Sequence, residues 1–315
     1  MENLLLPLAM IAVGLLLVSL TAGLVERWPL SFPIIYLGAG LLLGPGAIDA
    51  VAVDLHAPVV EFVAFTTLAL VLFLDAVHLE LPDVRRDWMV PTLTLGPGTL
   101  LVIAIVATAG VLLLDLGVAT AVVVGAALAS TDPVVVRDIT RDLRLPGSVR
   151  RALSIESGTN DLIVLPIVLV AATIASADPG EHDNLPWFLV QLFLIGPALG
   201  AAIGAGGAWL VARVDARTPI RTEYQAAFGL GLVFATFTAG EVLGADGFLA
   251  AFAGGAAVTL TNNRLCDCFL EFGESIAELM MLASFVLFGI VLSGQLGDAL
   301  TPATLVLAGL TLLVA

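Results

Sequence analysis

Lysine is absent from this chain, and ionisable residues of every kind are scarce. All 12 basic residues are arginine, 12 % of the 315 residues are charged, and histidine occurs three times. Soluble domains carry about 25 % charged residues, so this composition excludes an ordinary soluble globular protein. The 27 acidic residues give a formal net charge of −15, and we expect no nucleic-acid partner for so acidic a chain.

Cysteine and histidine are too few and too scattered to build a metal site. Cys266 and Cys268 are the two cysteines, and two thiols do not make a four-ligand zinc site. His56, His78 and His182 share no spacing and are interpreted as interfacial residues at the ends of loops. We therefore expect no cofactor and no enzyme active site, and any chemistry has to come from carboxylates, hydroxyls and amides.

Long runs of apolar residues are abundant in the sequence. Hydrophobic residues make up 59 % of the chain, which is more apolar surface than one soluble core can bury. Because a hydrocarbon layer about 30 Å thick is crossed by roughly 20 apolar residues, the pattern predicts an all-α polytopic membrane protein. The predicted segments are residues 4–25, 29–47, 57–77, 89–114, 117–137, 151–176, 186–212, 224–241, 244–261 and 274–293, and a last one that begins near Pro302. This last segment is still apolar at Ala315, so we expect the natural chain to continue.

The placement of the arginines predicts a topology. They fall in or beside alternate loops, and the loops between carry only acids. By the positive-inside rule the arginine loops are cytoplasmic and the N-terminus is outside, in a multi-pass protein of the cell membrane. The use of arginine alone fits a salt-rich habitat or a GC-rich genome. The arginine positions are Arg27, Arg85, Arg86, the run from Arg137 to Arg151, the run from Arg213 to Arg221, and Arg264.

Two polar motifs interrupt the apolar segments, T-D-P at 131–133 and E-S-G-T-N-D at 156–161. Pro133 has no N–H and clashes with the carbonyl of Ala129, so we predict a local unwinding of the helix at Asp132. Freed carbonyls at membrane depth persist only where neighbouring groups or a water-lined cavity satisfy them. Hydroxyl, carboxylate and carbonyl oxygens together suit a small hard cation such as Na⁺.

The second motif forms one polar stripe on its predicted helix. Glu156 lies over Asn160, and Ser157 lies over Asp161, because residues four apart share a helix face. Asp161 follows Arg150 by eleven residues, which is about 16 Å of helix and places it near the bilayer midplane. A buried network between helices is the structural alternative. Two carboxylates in one network favour a functional site, since charges at this depth are costly.

Other acids leave alternatives open. Glu156 is either protonated or paired with a group beyond Ala315, and we favour the missing partner because no arginine of this chain lies at the predicted membrane depth. Asp75 is either an interfacial residue or faces a water-filled cavity. Three acids near the tenth segment either line a cytoplasmic funnel or are solvated, and two at the turn after the eighth are interpreted as surface charge. They are Glu271, Glu274 and Glu278, and Glu241 and Asp246.

The sequence resembles the NhaP/NHE-type branch of the monovalent cation:proton antiporters. The resemblance rests on T-D-P, then an arginine-rich loop, then E-S-x-x-N-D, preceded by L-F-x-D near the end of the third segment. The resemblance implies an inverted-repeat fold with an unwound helix at the ion site. Residues 1–176 would form the first six-helix repeat, with 89–176 contributing to the ion-transporting core. Residues 177–213 would be a linker helix and 214–315 an incomplete second repeat. It also implies a homodimer in the lipid bilayer.

The resemblance further implies roles for single residues. Asp161 would carry the exchanged cation or proton. Asp132, Ser157 and the backbone of Thr131 would complete a Na⁺ site around it.

Four more residues belong to this implied site. Asn160 would pack against the crossing unwound helices, and Glu156 would pair with an arginine on a later helix. Asp75 would be an additional acid, and Pro133 would break the helix.

These implications lead to a functional hypothesis, the exchange of Na⁺, Li⁺ or K⁺ for H⁺ by competition for Asp161. Because residue 160 is asparagine and not a second aspartate, we predict electroneutral one-for-one exchange. The alternatives are a sodium-coupled organic solute carrier, a cation channel and an intramembrane aspartyl protease. Sodium-driven substrate uptake, pore currents and peptide cleavage would respectively identify them.

Overall fold

A computed structural model describes residues 31–78, 94–130, 144–176, 185–261 and 263–314, and Leu16. Every regular element among these residues is a helix, which confirms the all-α prediction. The first predicted segment, residues 4–25, falls outside the described residues apart from Leu16. So does the T-D-P motif.

The helices follow one another with short connections. In chain order they are α1 (Phe32–Leu43), α2 (Pro58–His78), α3 (Thr99–Leu114), α4 (Val118–Ala129), α5 (Gly147–Ser176), α6 (Leu185–Val190), α7 (Gly196–Asp215), α8 (Thr222–Val242), α9 (Gly247–Thr261), α10 (Asn263–Ser293), α11 (Leu296–Ala299) and α12 (Pro302–Val314). One π-helical turn, Thr94–Gly98, leads into α3, and another, Gln191–Ile195, joins α6 to α7.

Ten of the eleven predicted segments coincide with these helices or with continuous pairs of them. Within the described residues, five helical stretches are long and apolar enough to cross a membrane, and five apolar helices are shorter. The largest difference is in α10, which begins at Asn263 although the predicted segment begins at residue 274. Hydropathy marks the apolar length of a helix, and the first turns of α10 are too polar to be counted.

Small residues let neighbouring helices approach to backbone contact. Gly200 of α7 lies against the backbone of Ala250 of α9, and Gly204 lies one turn further along against Gly254. The same kind of contact joins α1 to α10, where Gly289 lies against the backbone of α1. Such stripes allow van der Waals packing at short range, which is the main attraction between helices in lipid.

The main apolar core lies between α2, α7, α8, α9 and α10. Phe73 and Phe269 meet there edge to face, with ring centroids 5.6 Å apart. A second, smaller cluster joins α3, α4 and α5 through Ile103, Ala126 and Val164. This second cluster packs the end of α4 against the middle of α5.

One of the two acids at the turn between α8 and α9 differs from the expectation of surface charge, whereas the other, Glu241, is exposed as expected. Asp246 is half-buried, and its Oδ1 accepts a hydrogen bond from the Leu249 N–H at 2.7 Å, which caps the start of α9. Glu241 accepts another from the Gly247 N–H at 3.0 Å. The first N–H groups of a helix have no partner within it, and carboxylates satisfy them well.

Candidate ion-binding site

Asp161 lies at the middle of α5. It follows Gly147 by fourteen residues and precedes Ser176 by fifteen. About 21 Å of helix therefore extends on either side of it. The residue is half-buried.

The neighbouring helix α4 ends where the sequence predicts a break. Its last residue is Ala129, and Ser130 has left helical geometry, with φ −71° and ψ 134°. The T-D-P residues Thr131, Asp132 and Pro133 follow and lie outside the described residues. The break therefore begins at or before Ser130.

The end of α4 bonds to Asp161 directly. The hydroxyl of Ser130 donates a hydrogen bond to Oδ1 of Asp161 at 2.8 Å. A hydroxyl bonded to a charged acceptor forms a strong contact, roughly twice as strong as one between neutral groups.

A second hydrogen bond joins the preceding residues of the same two helices. Nδ2 of Asn160 donates to the carbonyl oxygen of Ala129 at 3.3 Å, and Asn160 is 1 % exposed. In an unbroken helix that carbonyl would accept the N–H of residue 133, which is proline and has none. The asparagine amide supplies the missing donor.

We call these two hydrogen bonds the α4–α5 clasp. They join the consecutive residues Ala129 and Ser130 to the consecutive residues Asn160 and Asp161. The clasp holds a carboxylate at the middle of α5 beside the broken end of α4. This arrangement can bind a proton or a small cation.

Three other predicted site residues lie on described helices. Glu156 is half-buried on α5, one turn before Asn160. Ser157 also lies on α5, but its side chain falls outside the described part of the structure. Asp75 is half-buried on α2, which packs against α5, and its Oδ2 is fully buried.

The sequence interpretation overlooked two residues on the elements that carry the clasp. Ser130 is one, and its signal was a hydroxyl immediately before the T-D-P motif. Pro166 is the other, since it lies within α5 and cannot bond the carbonyl of Leu162. Its signal was a proline five residues after Asp161 in an apolar run.

An apolar cavity of about 580 Å³ lies on another side of the same helices. Residues of α4, α5, α6 and the following π-helical turn line it, among them Val122, Ile167, Leu189 and Phe193. All the lining residues are apolar, so a hydrated cation would find no side-chain hydrogen-bonding partner there.

His78 and Glu274 form a contact that no spacing in the sequence indicated. Nε2 of His78 lies 2.7 Å from Oε1 of Glu274, and Nδ1 lies 2.9 Å from the Leu74 carbonyl oxygen. The pair joins the end of α2 to α10, with the two side chains 41 % and 30 % exposed. Glu274 is thus half-buried and bonded, which differs from the preferred expectation of a solvated acid.

Comparison with protein families places this chain in a known group. Residues 13–315 match the family model described as "Sodium/hydrogen exchanger, transmembrane". The chain belongs to the sodium/hydrogen exchanger family. This finding confirms the resemblance drawn from T-D-P and E-S-x-x-N-D.

Curated relatives of this exchanger-family chain are antiporters by name. It is 26 % identical to the K(+)/H(+) antiporter NhaP of Alkalimonas amylolytica over 98 % of its own length and 54 % of that protein. It is 30 % identical to Na(+)/H(+) antiporter 2 of Zygosaccharomyces rouxii over 58 % of its own length and 24 % of that protein. The chain thus spans about half the length of the first relative and less of the second.

A solved structure shares the fold of this exchanger-family chain. The sodium proton antiporter MjNhaP1 from Methanocaldococcus jannaschii at pH 8 matches with a TM-score of 0.76 and 20 % identity, over 99 % of this chain and 78 % of the other. The likeness confirms the antiporter fold. The domain boundaries at residues 176 and 213 stay predictions.

Proposed function

We propose that this protein exchanges a monovalent alkali cation for a proton across the membrane, by competition of the two for the Asp161 carboxylate. The observation that carries the proposal is the half-buried carboxylate at the middle of α5, bonded by Ser130 at the broken end of α4. Family membership and the names of the relatives support it.

Exchange follows from a single shared site. A carboxylate binds a proton or a cation, and each excludes the other because binding either one neutralises its charge. The empty, charged site crosses the membrane poorly, whereas either occupied form crosses readily. Alternating access then moves one species inward for each one moved outward.

We assign the remaining cation ligands to oxygen atoms of Asp132, Ser157 and the backbone of Thr131. With the Asp161 carboxylate they form the donor set expected for Na⁺. Asn160 holds the end of α4 through Ala129. Pro133 frees the carbonyl that Asn160 binds.

Two further acids support this site. Glu156 is expected to pair with an arginine outside these 315 residues, and Asp75 to add negative charge on α2.

The proposal extends to ion choice, orientation and assembly. Relatives named for K⁺ and for Na⁺ support an alkali cation without deciding which one. The alternating arginine loops support a cytoplasmic location for Arg85, Arg213 and Arg264 and an external N-terminus. We propose a homodimer by family resemblance.

Proton flux in proteoliposomes tests this function. The complete natural chain is reconstituted with a pH gradient and a pH-sensitive dye, and NaCl, LiCl, KCl or choline chloride is added. We expect at least one alkali cation to dissipate the gradient and choline to leave it unchanged. Asp161→Asn should reduce the flux to the level of empty liposomes, because an amide neither titrates nor carries the charge that attracts a cation.

Asp54→Asn is the matched control, since this variant also removes one carboxylate, and the Asp54 side chain is 79 % exposed in a loop. It should retain wild-type flux. Both variants should elute as wild type on size exclusion. Sodium-dependent flux retained by Asp161→Asn would refute the shared-carboxylate scheme.

A further inference from the structure

The hydroxyl of Ser130 bonds a carboxylate on another helix, whereas several hydroxyls within the described helices bond a backbone carbonyl of their own helix. Hydroxyls within helices usually bond the carbonyl three or four residues back, and several here do so. Thr108 donates to Ala104, and Thr67 and Ser284 donate to Val63 and Met280, although the last two hydroxyls also lie 3.2 Å apart across α2 and α10. Ser130 instead reaches across to a carboxylate on another helix.

The backbone explains this difference. Ser130 has the extended conformation, with φ −71° and ψ 134°, because α4 has ended at Ala129. Its hydroxyl is thereby turned out of the helical path that would aim it at its own preceding turn. The helix break therefore frees backbone groups and also directs a side-chain donor at Asp161.

Burial divides the α4–α5 clasp into two halves. Asn160 is 1 % exposed, whereas Ser130 is exposed and Asp161 is half-buried. The buried half satisfies a carbonyl and holds the two helices together. The accessible half contacts the group that the proposed function assigns to the cation and the proton.

We infer that Ser130 is a positioning residue for cation binding, an inference that rests on the proposed function. Its hydroxyl holds one oxygen of the Asp161 carboxylate against the end of α4, next to the T-D-P segment. A carboxylate held in place binds a cation more tightly, because less rotational freedom is lost when the ion arrives. The hydroxyl also bonds the charged form of the carboxylate, which is the form that binds a cation.

The two halves of the clasp make this inference separable from a structural role. Removal of the Ser130 hydroxyl leaves the Asn160 to Ala129 bond in place. The variant should therefore fold normally and bind the cation less well. A purely structural serine would instead change the unfolding temperature or the amount of active protein.

The test is cation-dependent proton flux at several Na⁺ concentrations, with the complete natural chain in proteoliposomes. Ser130→Ala should raise the KM for Na⁺ about tenfold, equivalent to about 1.4 kcal/mol, with Vmax within about twofold of wild type. Ser130→Thr should restore the wild-type KM, since it keeps the hydroxyl and an extended backbone suits a β-branched residue.

Ser176→Ala is the matched control. It removes an exposed hydroxyl at the far end of α5, where that hydroxyl bonds the Thr173 carbonyl. It should leave KM, Vmax and the unfolding temperature unchanged.

Each result has a defined meaning. An unchanged KM in Ser130→Ala, a loss of Vmax alone, or a failure of Ser130→Thr to restore binding would overturn the role of Ser130. In each of these cases wild-type flux would still support cation exchange. Absence of flux in the wild type with every alkali cation would instead overturn the proposed function, and the role of Ser130 with it.

Discussion

At the residue scale, two consecutive side chains of α5 have opposite environments. Asn160 is fully buried and bonds a backbone carbonyl, while Asp161 is half-buried and bonds a hydroxyl. Adjacent residues of a helix point about 100° apart, so one can face a neighbouring helix while the next faces an accessible space. The asparagine bonds the broken helix end, and the aspartate is the residue to which the proposed function assigns the exchange.

Replacement of Asn160 by alanine tests the anchor. Without the amide, the Ala129 carbonyl loses a donor in a buried setting, and we expect the free energy of unfolding to fall by about 1–3 kcal/mol. Thermal unfolding in detergent, followed by loss of the folded size-exclusion peak, measures the change. Thr173→Ala is the control, because its hydroxyl bonds a carbonyl within α5 and should cost less. Equal effects of the two variants would contradict the anchoring role.

At the element scale, α7 and α9 are joined by a stripe of small residues. A methyl group added to Gly200 would overlap the carbonyl of Ala250, a backbone atom that cannot turn aside. Gly206 lies on the same helix with nothing within 4 Å of the equivalent position. Close packing therefore requires glycine at position 200 but not at position 206.

Alanine should lower the stability of the protein at position 200 but not at position 206. Gly200→Ala forces α7 and α9 apart and should lower the free energy of unfolding by about 1–3 kcal/mol. Gly206→Ala should leave it unchanged or raise it by up to about 1 kcal/mol, because alanine favours a helix. Unfolding temperatures of the two variants in the same detergent measure this. A Gly200→Ala protein as stable as wild type would rule out the close backbone contact.

The cap of α9 carries a dependence on pH. Burial raises the pKa of Asp246 above its usual 3.8, the bond from the Leu249 N–H opposes the rise, and the charge of Glu241 adds to it. Because the folded protein holds this proton more tightly than the unfolded chain, the group stabilises the fold below pH 3.8. That contribution is lost as pH rises through the raised pKa.

Asp246→Asn should abolish the loss of stability that wild type shows as pH rises, and it should keep the hydrogen bond that caps α9. The amide oxygen can accept the same Leu249 N–H without a charge to desolvate. Relative to wild type, the variant should gain stability as pH rises above 3.8, by on the order of 2 °C in unfolding temperature. Thermal unfolding of both proteins at several pH values between about 3.5 and about 7 measures the difference in unfolding temperature. Parallel curves for the two proteins would argue against it.

At the scale of the whole molecule, the number of charges at the site would determine how the proposed exchange responds to membrane potential. The neutral Asn160 beside Asp161 leaves one fewer titratable group than two aspartates would. If one cation replaces one proton, the cycle moves no net charge. Membrane potential then does no work on it.

Electroneutrality is testable with an imposed potential. A thiocyanate gradient of about 100 mV should leave the Na⁺-driven proton flux within about twofold, whereas one net charge per cycle would change its driving force by about 2.3 kcal/mol. The pH-sensitive dye reports the flux, and liposomes without protein report the leak. A flux that follows the sign of the potential would require unequal stoichiometry.

The sequence by itself determined the class of this protein. Apolar runs predicted ten segments that coincide with described helices or continuous pairs of them. The T-D-P and E-S-x-x-N-D motifs indicated the family, because hydropathy and motifs are properties of the sequence alone. Tertiary structure decided which atoms meet. Ser130 with Asp161, and Asn160 with Ala129, are each 31 residues apart in sequence.

The same holds for His78 with Glu274, which are 196 residues apart. Such pairs depend on the rotation and offset of one packed helix against another. Those two quantities are set by side-chain packing across helices, which no local pattern encodes.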